Sequence, residues 1–433
     1  MKHIKTYNYP RRVWRFMNAA LLLVACAIAP FGCTISEEPL PECPGKGETV
    51  PLRVSFSMSA AYGKSPLFTR TDPDNHPEVE ADNLWEDAID ISSGDYAIYA
   101  FNADGECTFS SRALPAGSDD LKVFGSPSSG YVVNSYIGDV DLTGVPDEVT
   151  FTVVVMANLE SAGGTYPTPE VKSKAEDGTV TAGTSIADFE SNKVVFTLPT
   201  SNTNGWYPGE VNGDGKTAFI PMYGKKEYTI KKTVLSDPAN PQYQLTDIAP
   251  MYLLRALAKV EIIDAIDKDG DSDFPGITNV TVNSFRNNAM LVPDNFKEGY
   301  QVGGLTIPTQ SSNQNEALPM RKLRGEKTVA YDNAGNEIKK EVTFWRFYIP
   351  EQDLGTTNPV FNVTYQYYTD ETTPVAVVGS GTVSLNKYAD FQSMVMRNHI
   401  YSVAITGLNS NIDQLLYWVC PMYEYSGTIP PFE

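Results

Sequence analysis

Histidine and cysteine are scarce in this sequence, which holds 3 His and 5 Cys among its 433 residues. Beyond the N-terminal segment only His76 and His399 remain, and neither lies near a Ser or Cys in a spacing typical of a nucleophilic site. The sequence also lacks a Gly-x-Ser-x-Gly elbow, a phosphate-binding glycine loop and the Cys/His spacing of a zinc site. We therefore expect a protein without enzymatic activity and without a cofactor.

One acidic loop resembles the beginning of a calcium loop. Asp267, Asp269 and Asp271 place carboxylates at alternate positions, as calcium ligands often are. The twelfth position is Thr278, so the distal Glu of such a loop is missing. A solvated turn is the favoured interpretation, and calcium binding at these three residues is the alternative.

Basic residues are few and unevenly placed. The chain has 33 Lys and Arg against 53 Asp and Glu, which gives a formal net charge of −20. Residues 1–70 hold nine of the basic and four of the acidic residues, so the rest of the chain carries 24 basic and 49 acidic side chains. A surface this acidic argues against binding to nucleic acid or to anionic membranes.

Long stretches with helical periodicity are nearly absent, whereas Val, Thr, Tyr and Phe are abundant and Gly and Pro are frequent. This composition predicts a mostly β protein. About 400 residues remain after the N-terminal signal, which is too many for one sandwich. We therefore predict two tandem antiparallel β-sandwich domains. The three cysteines of this part, Cys43, Cys107 and Cys420, allow at most one disulfide, which excludes a disulfide-built scaffold.

Residues 1–32 are predicted to be an export signal. A basic start is followed by an apolar stretch that is too short for a typical membrane-spanning helix. A Cys after a small residue at the end of such a stretch is typical of a bacterial lipoprotein. Two candidates compete: Cys26 has the better upstream residues, whereas Cys33 is followed by a polar, acidic segment. We favour acylation at Cys33, with Cys26 as the alternative.

Residues 52–58 alternate cleanly between apolar and polar side chains, which predicts a strand with one buried face. A loop follows and ends at Arg70, directly before a turn-like Thr-Asp-Pro-Asp-Asn stretch. An arginine in an exposed loop is usually a solvated side chain, but it is also accessible to a trypsin-like protease.

The stretch at residues 415–423 is apolar at both odd and even positions. A strand with one solvent-exposed face would instead alternate between apolar and polar residues. Two interpretations fit this pattern. The strand is either buried on both faces in the core of its own sandwich, or it is a donor that completes the sheet of a neighbouring subunit.

The resulting organisation has four parts. Residues 1–32 are the signal, 33–70 a propeptide that includes the first strand, 71–248 an N-terminal β-sandwich, and 249–433 a C-terminal β-sandwich with the terminal strand. The boundary between the two sandwiches follows a polar, proline-containing linker.

Four short motifs, in this order and spacing, resemble the fimbrillins of Bacteroidales, also called type V pilins. They are TVVVMANL at 152–159, IPMYG at 220–224, LRALAKV at 254–260 and RNHIY at 397–401. With the lipoprotein signal and the arginine-ended loop, the resemblance extends over residues 20–433. It implies two transthyretin-like β-sandwiches in a protein that is exported as a lipoprotein to the outer membrane surface.

The resemblance also implies processing and assembly. In that family an arginine-specific protease removes the first strand, and the C-terminal strand of the next subunit fills the groove. The cut would follow Arg70 in this sequence. The removable strand would present Leu52, Val54, Phe56 and Met58, and the donor strand would present Leu416, Trp418, Cys420 and Met422.

The function implied is that of a structural fimbrial subunit, which polymerises on the cell surface and supports adhesion. Its partners would be other copies of itself, accessory fimbrial subunits and the arginine-specific protease, with the outer membrane contacted through the lipid during export. Two alternatives stay open. The first alternative is an anchor or tip subunit, because residues 33–44 also resemble the start of the family's anchor proteins. The other is a glycan-binding surface lipoprotein, because 5 Trp and 24 Tyr offer stacking surfaces.

Overall fold

The structure is a computed structural model of the 433-residue chain. It describes residues 49–60, 83–114, 118, 121–126, 130–141, 148–192, 194–199, 206–211, 215–233, 242–245, 250–266, 275–297, 300–301, 304–310, 312–331, 337–368, 376–387, 394–408 and 412–421.

Strands dominate the described residues, which confirms the prediction of a mostly β protein. The strands are β1 (Thr49–Ala60), β2 (Tyr96–Phe101), β3 (Cys107–Ser110), β4 (Leu121–Ser126), β5 (Gly130–Asp141), β6 (Glu148–Ala157), β7 (Ser173–Lys174), β8 (Val180–Thr181), β9 (Val195–Thr197), β10 (Met222–Thr233), β11 (Gln242–Leu245), β12 (Met251–Arg255), β13 (Leu257–Asp264), β14 (Gly276–Asn283), β15 (Phe285–Arg286), β16 (Asn288–Met290), β17 (Phe296–Lys297), β18 (Tyr300–Gln301), β19 (Asn313–Gln314), β20 (Leu318–Pro319), β21 (Arg321–Tyr331), β22 (Glu337–Pro350), β23 (Gln352–Asp353), β24 (Val360–Tyr368), β25 (Ala376–Ser384), β26 (Met394–Val395), β27 (His399–Leu408) and β28 (Ile412–Pro421).

Helices are few and short in the same residues. They are α1 (Asn83–Glu86) and α2 (Ile186–Ser191), with 3₁₀ turns at Ser111–Ala113, Glu160–Ala162 and Leu385–Lys387. Ser185 caps α2 by accepting a hydrogen bond from the backbone N–H of Asp188 at 3.1 Å. None of the described helices has the length and apolar character needed to cross a membrane.

The N-terminal half is built on a nine-stranded sheet. Its main order is β3-β2-β6-β10-β12-β1-β5-β4, and β11 pairs with β10. Strands β2 and β3 also contact β5, so the sheet folds over itself and encloses a hydrophobic cluster. The ladders of this sheet are antiparallel except for the pairing of β1 with β12, which is parallel.

Strand β6 shows why this sheet is packed on both sides. Val153 and Val155 belong to the cluster enclosed by the folded sheet, whereas Val154 and Met156 belong to the larger core that continues into the C-terminal half. Successive side chains of a strand point to opposite faces, so an unbroken apolar strand is buried on both.

The C-terminal half contains two sheets packed on the larger core. The first has the order β21-β22-β13-β27-β28, and the second the order β20-β14-β24-β25. These ladders are antiparallel except for the parallel pair of β13 and β27.

The two halves share strands and core at their junction. Strand β12 belongs to the N-terminal sheet and β13 to the C-terminal one, so the chain changes sheet at Ala256. Strand β9 of the first half pairs with β16 of the second. The hydroxyl of Tyr207 donates to the carbonyl of Pro319 at 3.0 Å. The hydrophobic core is therefore continuous from one half to the other.

Candidate functional site

Strand β1 contains the residues predicted to form the removable strand, and it lies inside the nine-stranded sheet. Its residues 49–58 pair antiparallel with β5, and its residues 58–60 pair in parallel with β12, so the two ladders overlap at Met58. In the sheet order β1 thus joins β5 to β12, and its removal would separate these two strands.

Met58 shows how β1 contributes to the core. Its Cα pairs with Tyr131 of β5 and with Met251 of β12, and all three side chains are fully or almost fully buried in one cluster. Phe56 pairs in register with Val133, a buried member of the same cluster. Leu52 and Val54 lie further along the same ladder, opposite Gly138 and Ser135.

The predicted donor stretch forms most of β28, which lies at the edge of the five-stranded sheet. Among the described strands its neighbour in that sheet is β27, with which it pairs antiparallel. Ile412 and Leu415 are half-buried and pack against the larger core. The register places Leu416, Trp418 and Cys420 opposite Ala404, Ser402 and Ile400, respectively.

Several predicted sites lie outside the described residues. These are Cys26, Cys33, Cys43, Arg70, Met422 and the acidic loop with Asp267, Asp269 and Asp271. In the part of the chain that is described, no group of His, Cys, Asp and Glu side chains is arranged to hold a metal ion.

Cys107 and His399, a cysteine and a histidine that the sequence analysis assigned no chemistry, are both buried. Cys107 is a free thiol, and burial raises its pKa to about 11. His399 lies at the start of β27, with its Nδ1 2.7 Å from the carbonyl oxygen of Arg397. Burial lowers the pKa of His399 to about 4, so the ring is neutral at physiological pH. Both environments suit packing rather than nucleophilic or acid–base chemistry.

Buried ion pairs, which the sequence analysis did not identify, lie where the two halves meet. The carboxylate of Glu86 accepts hydrogen bonds from Lys259 Nζ at 3.0 and 3.2 Å, and the hydroxyl of Tyr348 donates to the same carboxylate. Burial alone would raise the pKa of Glu86, but the charges of Lys259 and Arg346 and the hydroxyl of Tyr348 lower it further than burial raises it. Glu86 is therefore ionised in the folded chain.

Asp87, the next residue, forms a second buried ion pair with Arg255. The guanidinium of Arg255 also donates from Nη1 to Asn398 Oδ1 at 2.7 Å and from Nε to the backbone carbonyl of Glu86 at 3.2 Å. Two of the motifs that carried the resemblance, 254–260 and 397–401, thus meet at this pair. The basic interruptions of the apolar stretch at 254–260 were the sequence signal for it.

Two further buried carboxylates lie in the C-terminal half. Glu261 accepts from Arg346 at 2.6 Å and pairs with Lys327 at 3.0 Å. Burial would raise its pKa, but Lys327 and Arg346 hold it well below the ordinary value. Glu351 pairs with Arg397 at 2.7 Å.

The other two motifs are also joined by hydrogen bonds. Asn158, the penultimate residue of the first motif, has a positive φ of 61°. Its side-chain amide donates to the carbonyls of Ala88 and Ile220 at 2.8 Å each, and its Oδ1 accepts from the backbone N–H of Asp90 at 3.0 Å. These bonds, like those of Glu86 and Asp87, fix residues 86–90 against the body of the protein.

No protein-family model and no curated protein matches this sequence. Some solved structures are similar to it. A fimbrial assembly protein from Parabacteroides distasonis is 12% identical with a TM-score of 0.38, over 86% of this chain and 97% of that chain. The tip fimbrial protein Mfa3 from Porphyromonas gingivalis, with a C-terminal truncation, is 13% identical with a TM-score of 0.36, over 86% of this chain and 100% of that chain. Fimbrial proteins are thus among the solved structures that this chain resembles.

Proposed function

We propose that this protein is a structural fimbrial subunit that assembles on the cell surface by strand exchange and supports adhesion. Cleavage after Arg70 would release β1, and β28 of another copy would take its place. The observation that carries the proposal is the place of β1 in its sheet, where it joins β5, along residues 49–58, to β12, along residues 58–60. Loss of an edge strand shortens a sheet, whereas loss of an internal strand opens it.

A strand that refills such a gap would gain a large favourable free energy. Removing β1 uncovers the core around Met58, and a buried side chain of this size contributes roughly 1.5–3 kcal/mol. Removing β1 also leaves those backbone groups of β5 that were bonded to β1 without these partners. Each such hydrogen bond contributes about 0.5–1.5 kcal/mol net. An open edge of this kind pairs readily with another strand.

Strand β28 has the properties expected of the replacement. It has ten residues against the twelve of β1, so the two strands have similar lengths. Its place at an edge means that it leaves its own sheet without opening it. Its alternate residues Leu416, Trp418 and Cys420 would supply the apolar face that β1 gives up. Pro421 stands at its end, where a missing N–H is tolerated.

The ion pairs of Glu86 and Asp87 support the same proposal. A chain cut after Arg70 would begin at Thr71, and Glu86 and Asp87 follow shortly after that new end. Their bonds to Lys259 and Arg255 join them to β13 and β12, which stay in place when β1 leaves. The new N-terminal segment would therefore stay attached to the body of the subunit.

Export as a lipoprotein acylated at Cys33, or alternatively Cys26, is part of the proposal and would bring the precursor to the outer membrane. Copies of this chain, accessory fimbrial subunits and an arginine-specific protease are the proposed partners. An anchor subunit would keep its lipid and β1, and a tip subunit would not donate β28 to another subunit. The three roles therefore differ in whether β1 is removed and whether β28 is donated.

The experiment is N-terminal sequencing and intact mass of the protein from its native surface, with a trypsin-like protease present. We expect a chain that begins at Thr71, in ladders that resist mild denaturant. Arg70→Ala should keep the acylated start and form no ladders, whereas Arg112→Ala, at an exposed arginine outside the loop, should assemble normally.

Deletion of residues 412–433 tests the donor separately. We expect cleavage at Arg70 to continue and the ladders to disappear. An acylated, monomeric protein in the wild type would overturn the proposal of a stalk subunit and favour an anchor subunit or a ligand-binding lipoprotein.

A further inference from the structure

A second edge strand, β25, lies at the end of the four-stranded sheet. Among the described strands it pairs with β24 alone, in an antiparallel ladder that runs from Ala376 to Ser384 without a register shift. Edge strands of this kind present a row of backbone donors and acceptors on their outer side.

Two other edges of the described sheets, β21 and β4, carry protective features that β25 lacks. Strand β21 has Arg321, Lys322, Arg324 and Glu326 and a register shift, and β4 carries Lys122. Charged side chains and bulges are the common means by which natural sheets avoid pairing at an edge. The sequence of β25, AVVGSGTVS, contains no charge, no proline and no bulge.

The outer face of this sheet is also uncharged. Strands β14, β24 and β25 contain no Asp, Glu, Lys or Arg, although 20% of the whole chain is charged. The exposed positions of β25 are Ala376, Val378, Ser380 and Thr382, and Val378 is 65% exposed. The neighbouring positions on the same face are occupied by Asn362, Thr364 and Gln366 of β24 and by Asn279 and Thr281 of β14.

The inner face of β25 is closed by its own sandwich. A Cβ atom on Gly379 would lie 2.5 Å from the ring of Tyr365, and one on Gly381 would lie 2.9 Å from Ile412 Cδ1. The two glycines therefore allow the core to pack directly against the strand. Among the described strands, the outer edge of β25 has no partner.

The sequence of β25 indicates which partner fits this edge. It is nearly palindromic about Ser380, so in an antiparallel pair with an identical strand Gly379 faces Gly381, Val378 faces Thr382 and Val377 faces Val383. Such a pair also brings no charged side chain into the ladder, although the whole chain has a net charge of −20. We propose that β25 pairs with β25 of a second copy, antiparallel and across a two-fold axis near Ser380, to join the two four-stranded sheets into one of eight. Identical strands related by a two-fold axis in one sheet must run antiparallel.

This pairing is independent of strand exchange, because it requires neither cleavage at Arg70 nor release of β28. The test is sedimentation velocity on the full chain, with a charge placed at the edge. In Ser380→Lys two lysines occupy facing positions across the axis, with their Cβ atoms about 5 Å apart. In the control Thr364→Lys, the same charge lies one strand further in, and the two charges are about 14 Å apart, beyond the screening length of about 8 Å.

We expect the wild type and Thr364→Lys to form dimers with dissociation constants within about twofold of each other, and Ser380→Lys to dissociate at least tenfold more readily at 0.15 M salt. Added salt to 1 M should restore part of the loss, because it screens the charges. A wild type that stays monomeric at tens of micromolar, or a dimer that Ser380→Lys leaves unchanged, would overturn the proposal.

Disulfide trapping on intact cells gives a second readout that does not depend on solubility. Ser380→Cys should cross-link two chains under mild oxidation, since opposed strand positions lie within reach of a disulfide. Thr364→Cys, in the same background of native cysteines, should not. Equal cross-linking of both variants, or none in either, would contradict pairing at β25.

Discussion

Strands β1 and β28 have similar lengths and both contain many apolar residues, although only β1 alternates. Their surroundings differ. Strand β1 joins β5 to β12 within its sheet, whereas β28 lies at an edge with β27 as its neighbour among the described strands. The comparison shows that a strand's role in assembly depends on its neighbours as much as on its own residues. Removal of the internal strand opens a sheet, and departure of the edge strand leaves the rest of its sheet paired.

The comparison requires that the residues after the proposed cut stay bound when β1 leaves. Glu86→Ala tests this and has the largest expected effect. It should lower the free energy of unfolding by about 3–5 kcal/mol, because Lys259 is then buried without its ion-pair partner. Urea unfolding of the precursor measures the loss.

Two controls accompany Glu86→Ala. The exposed pair Arg324–Glu341 gives a matched comparison, and Glu341→Ala should cost less than about 1 kcal/mol. Lys259→Met added to Glu86→Ala should recover much of the loss, because the remaining buried charge is gone. A loss no larger than that of Glu341→Ala would mean that Glu86 does not anchor this segment.

The depth of burial of the two strands can be compared directly. Met58→Ala in β1 should cost about 2–5 kcal/mol, because its side chain is fully buried. Leu415→Ala in β28 should cost about 1 kcal/mol, because its side chain is half-buried at an edge. Chemical denaturation of the two precursors measures both values, and equal losses would remove the distinction between the strands.

The end of β27 next to β28 contains a pH-sensitive residue, His399, which pairs in register with Pro421. Its pKa of about 4 in the folded chain lies below the ordinary 6.5, so between these values the unfolded chain binds a proton that the folded chain does not. Stability should therefore fall as the pH falls, by about 2 kcal/mol between pH 7 and pH 5. Urea unfolding at these two pH values checks this.

His399→Gln is the control for the pH effect. This substitution should remove most of the decrease in the free energy of unfolding between pH 7 and pH 5. Glu86 and Glu261 take up protons only at lower pH. Because the pKa values of both carboxyls are lowered in the fold, their stabilisation is lost only when the pH falls below about 4.5. An unchanged pH dependence in His399→Gln would assign the effect to other groups.

Much of the fold could be predicted from local patterns. Alternation in residues 52–58 indicated β1, and the abundance of Val, Thr, Tyr and Phe indicated a mostly β chain. These signals depend on the side-chain period of a strand and on the strand propensity of single residues, which are local properties. Pairings between distant segments, such as β1 with β12 or β9 with β16, leave no such signal.

The candidate site divides in the same way. The sequence by itself determined that the chain is mostly β, that its charge is strongly negative and that two stretches near its ends are suited to pairing. Only the tertiary structure decided that β1 is internal, that β28 and β25 are edges, and that Glu86 meets Lys259 inside the core. The physical reason is that burial and sheet order depend on which distant segments come together. The residues next to a carboxylate in sequence do not show whether it is buried, because its ion-pair partner comes from a distant segment.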